Sequence, residues 1–120
     1  MFRLEIILFG LPSTANSHKA HWAIAGKERK RWRAASCLSC LGQNRPPEPL
    51  DRAKITCTRY SASEPDFDNL VQSFKSVIDG LKDAKIIKDD KSSVIVERKY
   101  MWEKTAPKQG RISILVESVA

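Results

Sequence analysis

The chain is 120 residues long with 42% hydrophobic residues, enough for one core and too short for two comfortable ones. Twenty-one Lys and Arg against 14 Asp and Glu leave a formal charge of +7, which favours a polyanionic partner, nucleic acid first, through phosphate neutralisation. Three cysteines, an odd number without a clear export signal, argue against a disulfide framework and for a reducing cytoplasm, and no stretch approaches the roughly 20 apolar residues of a membrane span.

In the opening MFRLEIILFGLPSTA, Arg3 precedes an apolar run, but Glu5 interrupts that run, so a first strand is expected rather than a signal peptide. Leu4, Ile6 and Leu8 alternate with Glu5, Ile7 and Phe9, which predicts one face in the core and the other at least partly covered. Gly10 and Pro12 stop the strand. Pro12 to Gly26 holds His18, Lys19, His21 and Trp22 and reads as a basic, aromatic loop entering a helix. The helix is expected over Lys27 to Leu41, with Trp32, Ala35, Leu38 and Leu41 inward, Lys27, Arg29, Lys30, Arg31 and Arg33 mostly elsewhere, and Gly42 as C-cap.

Pro46, Pro47 and Pro49 make Gln43 to Pro49 a surface linker. A second strand follows, with Ile55 and Cys57 alternating with Lys54, Thr56, Thr58 and Tyr60. Leu70, Val71, Phe74, Val77, Ile78 and Leu81 form the clearest helical stripe. Two alternating runs, Ser93 to Trp102 and Arg111 to Glu117, flank Thr105 to Gly110, which reads as a hairpin connection. The result is an α+β fold in one domain, residues 1–120. It has a mixed sheet of about four strands, two main helices and the order β-α-β-α-β-β.

Asp66-Phe67-Asp68-Asn69 enters the second helix. In an extended segment Asp66 and Asp68 would project to one side while Phe67 turns into the core. Two close carboxylates repel unless a cation sits between them, although acids here also cap a helix and complement its dipole. A second acidic pair, Asp89-Asp90, follows the apolar Ile86 and Ile87; if the connection brings the chain back, Asp90 completes a three-carboxylate site. Hard oxygen ligands of this kind suit Mg²⁺. Lys75 shares the polar helix face with Asp68, Gln72, Asp79 and Lys82, about 10 Å beyond Asp68, where its ammonium could stabilise charge on a phosphate.

At these residues the chain resembles the RusA family of Holliday junction resolvases. The match runs through Pro65-Asp66-Phe67-Asp68-Asn69-Leu70, Phe74 to Leu81 and Ile87-Lys88-Asp89-Asp90. Leu11-Pro12-Ser13, His21-Trp22 and the ending add to it, so most of the chain is covered. The resemblance implies a divalent metal, Mg²⁺ or its substitute Mn²⁺, on Asp66, Asp68 and Asp90, with Asp89 as the alternate third ligand. It further implies that Lys75 assists hydrolysis of a phosphodiester by metal-activated water. One departure stands out: the lysine comes nearly a helical turn later than in the shorter family pattern, Gln72 taking the earlier position, while counting back from Asp89-Asp90 restores Lys75.

The implied substrate is branched DNA such as the four-way junction, in recombination, repair or prophage replication. Paired cuts in opposed strands imply a C2 homodimer. Lys19, His21, Trp22, Lys27, Arg29, Lys54 and Arg59 are the expected DNA contacts. Two other readings are open: a non-catalytic basic DNA-binding protein, and a zinc module using His18, His21, Cys37 and Cys40. The second requires the histidines to cross roughly 15 Å of helix.

Overall fold

The structure, a computed structural model, describes residues 1–12 and 22–120. Its elements are β1 (Arg3–Phe9), α1 (Trp22–Leu41), β2 (Ala53–Ser61), α2 (Phe67–Ser73), α3 (Lys75–Asp83), β3 (Ile95–Lys104) and β4 (Arg111–Ser118). The strands form one mixed sheet in the order β1-β4-β2-β3, antiparallel except for the parallel pair β2 and β3. A parallel pair needs a crossover, and α2 with α3 supplies it. The fold class is therefore the one the residue pattern predicts, with the second helix interrupted at Phe74.

Alternation decides which side chains meet the helices. Leu4, Ile6 and Leu8 stand beside Val116, Ile114 and Ile112 in register, and Ile55 and Cys57 continue the same face. Phe74, Val77, Ile78 and Leu81 close the core from the helix side. On the other face of β1, Ile7 is 50% and Phe9 82% exposed among the described residues.

The expected hairpin does not form. β4 runs between β1 and β2, so the turn after β3 carries the chain across the end of β2. There the backbone N–H of Thr105 donates to the Ser61 carbonyl at 3.0 Å. The composition of the two strands explains the exchange of places. β4 is largely apolar and mostly buried, whereas β3, IVERKYMWEK, is largely exposed, and charge is tolerated best at a sheet edge.

Helix α1 starts earlier than expected, at Trp22, and turns a different stripe inward. Trp32, Ser36 and Cys40 are buried, while Leu38 and Leu41 face out. Gly80 of α3 is the cause. A Cβ there would lie 2.5 Å from the Arg33 carbonyl oxygen and 2.6 Å from Ser36 Cβ, so the two helices meet backbone to backbone with only a serine between. The Ser36 hydroxyl donates to the Val77 carbonyl at 2.7 Å, satisfying its buried oxygen. Arg33 donates through Nε and Nη2 to Asp83 at 2.5 and 2.7 Å, and with Ser36 beside Val77 this makes the two helices antiparallel.

Beyond α3 the chain turns back through Lys85, whose φ of 64° is left-handed. Ile86 N–H donates to the Leu81 carbonyl and Lys85 N–H to that of Lys82, both at 3.0 Å, which closes the last carbonyls of the helix. Ile86 and Ile87 are buried, and Ile87 bridges to Leu50, so the linker and the return segment hold each other. That return delivers Asp89 and Asp90 to the beginning of β3.

Candidate active site

The site begins at the entrance to α2. Asp66 is the N-cap residue, with extended backbone angles (φ −59°, ψ 147°), and its carbonyl accepts from Leu70 N–H at 2.9 Å. Its carboxylate makes no capping bond. Asp68 lies in the first helical turn, not in an extended segment, where its charge complements the helix dipole. Both acids are exposed, and neither forms an ion pair among the described residues.

Phe67, expected in the core, is 62% exposed. The inward position of this turn belongs to Leu70, and the next to Phe74, so a side chain at the first helical residue points outward. Phe67 rests edge-on against Tyr100 of β3, with ring centroids 6.4 Å apart, and Tyr100 also touches Phe74 at 6.0 Å.

At Phe74 the helix tightens: Phe74 N–H donates to Val71 at 3.2 Å, and α3 restarts at Lys75. The break falls between Gln72 and Lys75, where the lysine departs from the family spacing. Lys75 Nζ donates to Asp90 Oδ2 at 2.6 Å and to Asp79 Oδ1 at 3.1 Å. The first contact spans 15 positions in sequence and ties the Asp89-Asp90 turn to the start of α3. The ammonium beside it holds the Asp90 carboxyl down to about 2, despite some opposing desolvation. The same two carboxylates raise the Lys75 ammonium.

Asp89 and Asp90, interchangeable in sequence, take different parts. Asp89 Oδ1 accepts the Asp90 N–H at 2.7 Å and faces Lys82 at 3.4 Å, which ties it to the turn. Asp90 is the one that reaches Lys75. Arg98 of β3 donates to the Asp90 carbonyl, fixing the turn against the strand. Tyr100 lies two residues on along the same strand face, and burial raises its hydroxyl while Arg98 and Lys75 oppose that shift. Tyr100 thus sits between the Phe67 end and the Lys75–Asp90 corner.

Lys75 and Asp90 thus meet between α3 and the edge strand β3, while Asp66 and Asp68 stand at the entrance to α2, whose Phe67 touches the same strand through Tyr100. Among the described residues no three candidate ligands converge on one point, and the nearest partner of Asp90 is the lysine. Tyr100, Arg98 and Asp79 were not among the expected site residues. The i to i+4 spacing of Lys75 and Asp79 is a legible signal for one of them. For Arg98 and Tyr100 the only signal is their shared parity on a strand whose neighbours the sequence does not name.

The expected DNA contacts separate. Lys27 and Arg29 are exposed on α1, beside Lys30 and Arg31. Lys54 lies on the opposite side of the sheet, paired with Glu97 at 2.9 Å. Arg59 is a correction: it is only 8% exposed, faces the helix side in register with Ile112 and Trp102, and donates through Nη1 to the Pro12 carbonyl at 2.7 Å. Burial lowers its guanidinium pKa. Lys19 and His21 lie outside the described residues, as does His18, and Trp22 is described only as the first residue of α1.

Cys40, a ligand in the zinc reading, is a core residue whose thiol burial pushes up to about 12, opposing the thiolate that zinc requires. No helix among the described residues is long and apolar enough to cross a membrane. The sequence matches no protein-family model and no characterised protein.

Proposed function

We propose that the chain is a metal-dependent endodeoxyribonuclease acting on branched DNA, such as a four-way junction, as a symmetric dimer in the cytoplasm. The observation that carries this reading is the 2.6 Å contact between Lys75 and Asp90, which ties the second acidic pair to the start of α3, directly after the short helix that Asp66 caps. A structural turn needs no such arrangement. The arrangement fits the residue pattern shared with the RusA family.

Among the described residues no three carboxylates gather on one point, so a Mg²⁺ ion here would be held by one or two of them together with waters and substrate phosphates, rather than by an all-protein cage. Asp90, whose carboxylate is already held by Lys75, would orient that lysine, and Asp66 and Asp68 would hold the ion. When bound, it would supply Lewis-acid polarisation of a phosphate and activation of water. Lys75, oriented by Asp79 and Asp90, presents a fixed ammonium where charge grows on a phosphate. Arg98 keeps the Asp90 turn in place, and Tyr100 supports Phe67 between the two acids.

The basic strip Lys27 to Arg31 suits the rest of the duplex. Because α1 and α3 are antiparallel, with Ser36 beside Val77, this strip lies roughly 16 Å from Lys75 along the helix layer. That distance matches about five base pairs.

The test is cleavage of a labelled four-way junction with Mg²⁺ or Mn²⁺, comparing wild type, Asp68→Asn and Lys75→Ala. Wild type is expected to cut, and both variants to bind nearly as well while cutting falls roughly 100-fold or more. Binding by wild type without cutting, in either metal, would establish the non-catalytic DNA-binding reading instead. The specific observation on that side is that Asp79 and Asp90 already neutralise Lys75 within the chain.

A further inference from the structure

The end of β1 and the start of β4 border a cleft that the proposed reaction leaves unused. Its walls include Phe9, Leu11, Lys108, Gln109 and Arg111, and every lining residue is among those described. Its volume of about 620 Å³ falls within the roughly 300–1,000 Å³ of small-ligand sites. Gly10 N–H donates to the Gly110 carbonyl at 2.9 Å, which carries the pairing of the two strands one step beyond their ends. Leu11 lies directly on Gly110, where a Cβ would stand 2.6 Å from its Cγ, so this part of the wall is leucine packed on bare backbone.

Three side chains set the chemistry of the cleft. Phe9 is 82% exposed, and its ring makes no aromatic or cation contact among the described residues. Arg111, its partner in register, holds its guanidinium 4.3 Å from the Tyr60 ring and donates through Nη1 to the Gln109 carbonyl at 3.3 Å. Lys108 is the third residue of a turn closed by Gln109 N–H donating to the Ala106 carbonyl at 3.2 Å, and its φ is 68°. Pro107 followed by a left-handed residue is the pattern of a type II turn, in which glycine is the unstrained choice. A lysine kept there, on a cleft wall, is strain of the kind found where a side chain is retained for what it touches. Neither Lys108 nor Arg111 has a carboxylate partner among the described residues. Phe9, Arg111, Tyr60 and Glu103 stand side by side across the four strands, which puts Glu103 three strand spacings, about 14 Å, from Phe9.

We propose that this cleft takes an unpaired nucleotide of a DNA strand, the base stacking on Phe9 and the adjoining phosphate lying between Lys108 and Arg111. A paired base has its faces covered by its neighbours in the duplex, so a single ring engages only a base that has left the stack. β1 and β2 both run antiparallel to β4, so the cleft stands at the same end of the sheet as Ser61, from which the chain leads to Asp66. A strand that leaves a branch and passes over that end meets the cleft. The inference rests on DNA being the ligand, as the proposed function has it, but not on cleavage. Binding is measured without metal, so the two can fail separately.

The experiment follows the fluorescence anisotropy of a labelled short oligothymidylate in EDTA at low salt, against a duplex of the same length and free thymidine monophosphate. Wild type is expected to bind the single strand, Phe9→Ala to bind it about 10-fold more weakly, and Phe9→Trp at least as tightly as wild type. Duplex binding by Phe9→Ala is expected to stay within about two-fold of wild type, because phosphate contacts dominate there. Lys108→Gly is expected to melt no lower than wild type, since glycine adopts the left-handed turn freely. It should still bind the single strand more weakly, with the slope of log affinity against log salt shallower by about 0.7. Circular dichroism confirms that each variant is folded. The inference is overturned if wild type does not bind the oligothymidylate, or if Phe9→Ala binds it like wild type or loses duplex binding equally. An unchanged salt slope in Lys108→Gly overturns it too, as does thymidine monophosphate binding as tightly as the strand, which would make a free nucleotide the ligand.

Discussion

Replacing Gly80 with alanine puts a methyl group where α1 and α3 have no room for one. The new Cβ would sit 2.5 Å from the Arg33 carbonyl oxygen, 2.6 Å from Ser36 Cβ and 2.8 Å from Ser36 Oγ, against the 3.5 to 4.0 Å of ordinary carbon contacts. The Arg33 oxygen is backbone and cannot rotate away, so the helices must part by about 1 Å. Overpacking of this size costs roughly 1–3 kcal/mol, and loss of the buried Ser36 to Val77 hydrogen bond adds about 1 kcal/mol. Alanine returns about 1 kcal/mol in helix propensity. The expected loss is about 2 kcal/mol, or about 8 °C in Tm for a domain of this size. Urea unfolding followed by circular dichroism measures it, with Gly42→Ala as control, since a Cβ there meets nothing closer than 3.9 Å. A Gly80→Ala protein as stable as wild type, or more so, would refute the close approach. The contact also sets how α3 presents Lys75, so junction cleavage should fall with stability.

The Asp90 carboxyl, held at about 2 chiefly by its hydrogen bond from Lys75, should move up towards the ordinary 3.8 in Lys75→Ala, read by carboxyl NMR titration; an unmoved value would remove Lys75 as the cause. A lowered carboxyl stabilises the fold above its unfolded value and loses that contribution as pH falls from about 4 through about 2. A raised lysine stabilises it below 10.5 and loses the contribution as pH rises beyond. The pair's effect on stability should therefore be flat from about pH 5 to 10, and with the lysine side chain 62% exposed it is screened to no more than about 1 kcal/mol. Among the thiols, the part-exposed Cys37 should react with a thiol reagent in the native protein, and the buried Cys40 and Cys57 only on unfolding. Equal labelling of all three would contradict the core assignment.

Much of the candidate site is visible in local sequence because its parts lie on a few short segments. The acids at the entrance to α2, Lys75 on the polar face and the Asp89-Asp90 turn all follow from periodicity and turn chemistry. Their roles do not. Asp89 and Asp90 become distinct only because the turn points one at its own backbone and the other at Lys75. Arg59 shares parity with Ile55 and Cys57, the inward residues of β2, so the alternation itself places it under the helices.

Residue order by itself determined the element types, the α+β class and the buried stripe from Leu70 to Leu81, because period and capping are local properties of the chain. Only the tertiary structure decided that β4 lies between β1 and β2, that α1 turns Ser36 rather than Leu38 inward, and that Phe67 stays outside. Each depends on which surface a segment finds opposite it: the apolar β4 seeks the sheet interior, and a glycine on α3 admits a serine but no leucine. Such choices minimise exposed apolar area and overlap across segments distant in sequence, and no single segment contains the information.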